Sequence, residues 1–219
     1  MKTVIFTISF FYLIACSDKR GKTKTISQTH SIDTLSTHDT VKSNNDDNWQ
    51  QSFGLTNDPE IDSVWGKPVK FYIDNPACSP IAIEFYRGRF RPTDDRATDS
   101  LLKLVTVDDS SLRPFYRWCL YKTIQIQDGA LAESTGIPAR QYAEKFPKEF
   151  FEYIDAENKK EKYQDWVDAI SYSGFYDIDD YQKSKDIRNR LKTKMKMNCI
   201  GCSEETIQRI DIFAKDCFP

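Results

Sequence analysis

Tyr163-Gln164-Asp165-Trp166-Val167-Asp168-Ala169-Ile170 sets Tyr163, Trp166, Val167 and Ile170 at three- and four-residue intervals, with Gln164, Asp165 and Asp168 on the opposite side. That is the period of a helix burying one face, and Gly174 is placed to stop it. The same spacing recurs on either side. Ala97, Leu101, Leu104 and Val105 share a face behind Thr93, Asp94 or Asp95 as cap. Leu112, Phe115, Tyr116, Cys119, Thr123 and Ile126 follow, with Ser110 or Ser111 as cap and Pro114 tolerable in the first turn. Ile137-Pro138 reads as the opening of a further helix that Pro147 interrupts, after which come Phe150, Tyr153 and Ile154. Ile187, Leu191 and Met195 form another stripe. Ser203 can cap a last helix that turns Ile207, Ile210, Phe213 and Ala214 inward.

The stretch from Val64 to Phe90 is ambiguous. Val69 to Ile73 and Ile81 to Phe85 are rich in β-branched and aromatic residues. Yet Ser79-Pro80 is a good helix opening and Asn75-Pro76 a good helix stop. The expected fold is therefore all-α, an irregular multi-helix bundle or a short helix-pair solenoid. The alternative is α+β with a small N-terminal hairpin around 69–90. Residues 59–219 carry this domain, long enough to bury about 68–70% of the unfolded surface. They hold 25 Lys and Arg against 27 Asp and Glu, and that balance argues against a nucleic-acid partner.

Both histidines, His30 and His38, precede this region, so residues 59–219 contain none. Ser-His-Asp and Cys-His nucleophiles, His-ligated zinc and His acid–base catalysis are excluded there. Neither GxGxxG nor GxxxxGK[ST] occurs. Asp177-Ile178-Asp179-Asp180 resembles the start of a calcium loop, but Tyr181 replaces a ligand and the Gly is missing, so a solvated acidic turn is the better reading. No catalytic residue, metal ligand or cofactor is assigned. Carboxylates are plentiful at Glu149, Glu152, Asp155, Glu161, Asp165 and Asp168, but their spacing gives solvated helix faces and singles out no pair.

Five cysteines lie in the domain. Cys119 falls on an apolar helix face and is expected to be buried and unpaired. A helix from Ser203 to Asp216, about 20 Å long, keeps Cys217 away from Cys199 and Cys202, since bridged Cα atoms lie within about 7 Å. The expected bridges are Cys199 with Cys202, and Cys78 with Cys217. Cys199-Ile200-Gly201-Cys202 before a helix also invites a redox reading, but no βαβ pattern flanks it. A four-cysteine zinc site would need distant cysteines to converge. Lys183, Lys185, Arg188, Arg190, Lys192, Lys194 and Lys196 crowd one segment. They read either as a solvated face or as a basic surface for an acidic protein, anionic headgroups or an anionic glycan.

At the N-terminus, Met1-Lys2 precedes a short apolar run from Val4 to Ile14, too short to span a bilayer as a helix and patterned as a secretory signal. It ends in Leu13-Ile14-Ala15-Cys16, which resembles the lipobox of bacterial lipoprotein precursors. The resemblance covers the first 20 or so residues. It implies cleavage after residue 15, acylation of Cys16, palmitate among the chains, and a chain working outside the cytoplasm where disulfides persist. Ser17 after the cysteine favours the outer membrane. Asp18 fits the surface-export pattern of Bacteroidetes lipoproteins, whereas Lys19 and Arg20 depart from it, favouring the periplasmic face. Residues 16–58 then form a lipidated, disordered tether, its 42 residues after Cys16 spanning roughly 35–40 Å. Asp33-Thr34-Leu35 and Asp39-Thr40-Val41 resemble Bacteroidetes O-glycosylation sites, which makes Thr34 and Thr40 candidates. The matches at Asp62-Ser63-Val64 and Asp99-Ser100-Leu101 fall in the domain.

The function expected from these readings is a membrane-anchored, non-catalytic helical binding domain with a protein partner, one concrete form being an immunity-type inhibitor of a periplasmic toxin. The alternatives are a glycan-active envelope enzyme using carboxylates, or a structural accessory lipoprotein of an envelope complex. Radiolabelled palmitate is expected to enter the wild-type chain and not Cys16→Ala; equal incorporation by the two would remove the anchor.

Overall fold

In a computed structural model, the described residues are 48–156, 160–174 and 184–219. The lipobox, Cys16, Thr34, Thr40, the 177–180 acidic turn and Lys183 lie outside them. The described part is mostly helical. A 3-10 turn at Gln51–Phe53 leads to a two-stranded antiparallel ribbon, β1 (Ser63–Val64) and β2 (Lys67–Pro68), paired Ser63 to Pro68 and Val64 to Lys67. Helices follow in order: α1 (Val69–Ile73), α2 (Pro80–Tyr86), α3 (Arg96–Lys103), α4 (Arg113–Ile126) and α5 (Gly129–Lys145). The rest are α6 (Pro147–Asp155), α7 (Lys160–Tyr172), α8 (Ser184–Asn198) and α9 (Glu204–Cys217). The all-α expectation holds. The hairpin expected around 69–90 is absent: Val69–Ile73 and Pro80–Tyr86 are helical, and the ribbon stands just before them.

Side-chain caps start several helices where the sequence offered them. The Asp95 carboxylate accepts from Thr98 N at 2.7 Å, and Ser203 Oγ accepts from Thr206 N at 3.2 Å. At α4 the expected serine caps are not used. Leu112 stands at the cap position without a side-chain bond, while Ser111 is tied to Asp109. The expectation for Ile137-Pro138 is also corrected. Asp128 caps α5 nine residues earlier by accepting from Leu131 N at 2.9 Å, and Pro138 lies buried inside the helix. A helical proline removes one backbone bond and costs about 3 kcal/mol, an amount the burial of α5 offsets.

The core has two clusters. The larger surrounds Trp166 and gathers α5 to α9, including Phe150, Ile170, Leu191 and Phe213. The smaller joins Phe53, Tyr72, Phe85 and Phe115 with the N-terminal elements. Helix α4 belongs to both, giving Phe115, Tyr116 and Cys119 to one and Leu120 and Ile124 to the other. Of residues 48–58, expected to close the tether, Phe53 is buried here and Trp49 and Leu55 pack against this cluster; the Phe53 ring centroid lies 5.5 Å from that of Trp49 and 6.1 Å from that of Phe85. Aromatic side chains outweigh the polar composition of that stretch.

Where α5 crosses α7, a Cβ on Gly136 would stand 2.7 Å from the Ala169 carbonyl oxygen and 2.9 Å from Ser173 N. Both are backbone atoms and cannot swing aside. Gly136→Ala would favour an open helix by about 1 kcal/mol; here it is expected to destabilise by about 1–3 kcal/mol through overpacking. A lowered urea midpoint with unchanged slope is the readout.

Candidate functional site

A cleft of about 560 Å³ lies between residues 53–65 on one side and α4, Tyr153 and α7 on the other. Its N-terminal wall is held by Asp62. The Asp62 carboxylate accepts from Thr56 N and Thr56 Oγ1, both at 2.8 Å, and from Tyr86 OH at 2.7 Å. Gln50 Nε2 donates to the carbonyls of Phe85 (2.6 Å) and Tyr86 (3.2 Å) at the end of α2, the former shared with Gly88 N. Burial pushes the Asp62 carboxyl upward, but the hydrogen bonds from Thr56 and Tyr86 outweigh it and the net shift is downward.

Trp65 sits at the tip of the ribbon with φ of 52°, followed by Gly66 at 72°. Two left-handed residues make the tight turn that suits a two-residue hairpin, a position that favours Asn, Asp or Gly over a tryptophan. From beneath, Tyr72 OH donates to the Val64 carbonyl at 2.9 Å. The Trp65 ring stays 45% exposed and covers Arg117, whose guanidinium carbon lies 4.5 Å from its centroid and 4.1 Å from that of Tyr153.

Arg117 is buried to 1% exposure. Its Nη1 donates to Tyr142 OH at 2.8 Å and to Glu149 Oε1 at 3.0 Å. Tyr142 OH donates to the same oxygen at 2.9 Å, while Arg113 Nε donates to Oε2 at 2.8 Å. One carboxylate thus serves two guanidiniums. Burial, first of all, holds the Tyr142 phenol far above its usual range, so it remains a donor. A second buried cation, Lys162, also at 1% exposure, donates to the Tyr153 carbonyl at 3.2 Å with its ammonium 4.1 Å from the Tyr153 ring centroid. Asp165 accepts from Tyr121 OH at 3.1 Å. Burial raises its pKa, and Asp168 and Glu161 add to the rise against the Tyr121 bond.

Among the sequence candidates, Glu161 and Asp165 line this cleft. Glu149 lies behind it, and Asp155 is held bidentately by Arg209 at 2.7 Å. The basic segment is elsewhere. Lys194 pairs with Glu144 at 3.1 Å, Lys196 with Asp211 at 2.8 Å, and Lys192 reaches Asp211 at 3.7 Å, so α8 is laced to α5 and α9. Arg188 donates to the Phe218 carbonyl at 3.3 Å, and Lys185 and Arg190 are exposed. Cys199 and Cys202 form a disulfide with Cα atoms 5.4 Å apart. The expected Cys78–Cys217 bridge is not formed, because Cys78 is buried in the smaller core and Cys217 in the larger; with Cys119 they are buried thiols. Among the described residues no group of three His, Cys, Asp or Glu is placed to hold a metal ion.

Trp65, Arg117, Lys162 and Asp62 escaped the sequence reading. Only the Trp65-Gly66 pair gave a local sign, a turn dipeptide with an oversized first residue. No protein-family model, curated protein or solved structure matches the chain.

A carboxyl depressed in the folded state adds stability above its unfolded pKa, near 3.9 for Asp, and loses it as pH falls through the lower folded value. Asp62→Asn is expected to flatten that acid limb in denaturation curves taken between neutral pH and about pH 2. Asp62→Ala, leaving Tyr86 OH and Thr56 N without their acceptor, is expected to cost about 1–3 kcal/mol at pH 7.

Proposed function

We propose that the chain is a lipid-anchored lipoprotein of the cell envelope, on the periplasmic face of the outer membrane, whose helical domain binds a protein partner without catalysis. The partner docks over the cleft. The observation that carries this reading is Trp65, a large aromatic side chain left exposed at a turn position that favours small residues. Ile61, 66% exposed, lines the same cleft, and Arg117 lies beneath the indole. Tryptophan, tyrosine and arginine together are the residue types that dominate protein-docking energetics. The anchor rests on the lipobox-like residues 13–16, and an inhibitor of an incoming toxin remains the concrete form proposed. A glycan-active enzyme using carboxylates is the second reading, favoured by the raised pKa of Asp165 beside Tyr121 in the cleft.

Affinity capture of the acylated protein from its own cells, followed by mass spectrometry, tests the first reading. One envelope protein is expected with the wild type and about tenfold less with Trp65→Asn, a change the left-handed turn accommodates. Equal recovery removes the cleft from the interaction, and recovery of no protein overturns the reading. Loss of peptidoglycan or glycan turnover in Asp165→Asn, with capture intact, would instead favour the enzyme.

A further inference from the structure

Among the described residues, none uses one edge of Arg117. Its Nη1 faces away from the cleft toward Tyr142 and Glu149. Its Nε is fully buried without a hydrogen-bond partner, and Nη2 makes no hydrogen bond among the described residues. On a planar guanidinium, Nε–H and Nη2–H point side by side at the spacing of the two oxygens of a carboxylate.

The charge count agrees with this geometry. Glu149 carries one negative charge against two guanidiniums, Arg113 through Oε2 and Arg117 through Oε1. Glu149 is the ion-pair partner of Arg117 among the described residues. Of the three acids that line the cleft, Asp62 is engaged with Thr56 and Tyr86 and Asp165 with Tyr121, while Glu161 is exposed and makes no ion pair with Arg117 among the described residues. The rings of Tyr153 and Trp65 flank the guanidinium at 4.1 and 4.5 Å without meeting its in-plane donors. A buried guanidinium with an unfilled fork is incomplete, since desolvated donors need acceptors.

We propose that the Nε–Nη2 edge of Arg117 receives a carboxylate of the protein partner, either its C-terminus or an Asp or Glu side chain, with an apolar neighbour of that carboxylate packed on Trp65. Trp65, exposed at the tip of a two-residue turn, is the group that turns aside to admit it. The inference deepens the reading of the domain as a binding module and rests on it.

Three peptides titrated into the full mature chain test it: acetyl-Ala-Ala-Phe with a free C-terminus, its C-terminal amide, and the amide of acetyl-Ala-Asp-Phe. Calorimetry gives affinity, and the Trp65 indole N–H resonance reports the site. At least one carboxylate peptide is expected to bind about tenfold or more tightly than the carboxylate-free amide, the order expected of a charged hydrogen-bond pair, and to move the Trp65 signal. The tighter of the two acids identifies the source of the carboxylate. Arg117→Lys keeps the charge and removes the fork, so it is expected to abolish the margin; should that variant not fold, the wild-type comparison decides alone. Equal affinities, or no movement of the Trp65 resonance, overturn the proposal. If that happens while Trp65→Asn still loses partner capture, the carboxylate assignment fails and the binding module stands.

Discussion

Taking the guanidinium of Arg117 out of water costs several kcal/mol, and residues from three parts of the chain, the ribbon, α5 and α6, gather to offset it. Glu149 and Tyr142 meet it with oxygen, Tyr153 and Trp65 with ring faces. Each contributor fixes the element that carries it. Glu149 sets α6 against α4, Tyr142 sets α5, and Trp65 brings the ribbon down over the helices. The buried charge orders the junction between the two hydrophobic clusters, where apolar packing alone would leave the ribbon's position loosely specified.

The N-terminal wall follows from that junction. A ribbon of two residues per strand is too short to be stable by itself. Asp62 and Tyr72 supply what the ladder lacks, one by collecting Thr56 and Tyr86, the other by donating to Val64. With the ribbon fixed, the Trp65 backbone has little choice of position, and its left-handed conformation becomes a local strain that the fold sustains while the ring stays partly exposed. The cleft thus has a wall held by hydrogen bonds and a floor held by a buried ion pair.

The C-terminal pair of helices is organised by different means. Lysines of α8 reach Glu144 and Asp211, and the disulfide closes the five-residue loop, 199–203, between α8 and α9. These ion pairs are partly exposed and individually weak. Their effect is one of register, aligning α8 with α5 and α9 over the core around Trp166. A segment that reads in sequence as a basic surface is in large part internal lacing.

What the residues alone determined is whatever depends on neighbours within a turn or two. The stripes at 163–170 and 187–195, the Asp95 and Ser203 caps, the Cys199–Cys202 bridge and the burial of Cys119 are all of that kind, because periodicity, capping and short loops act over three or four positions. The tertiary structure decided the rest. It carried α5 through Pro138, turned Val69–Ile73 into helix, drew Phe53 into the core and kept Cys78 apart from Cys217. It also assembled the cleft, whose defining contact joins Arg117 to Glu149, 32 positions away. No local pattern encodes such a pair: whether an arginine lies in water or beneath a tryptophan depends on which distant surfaces are buried against it.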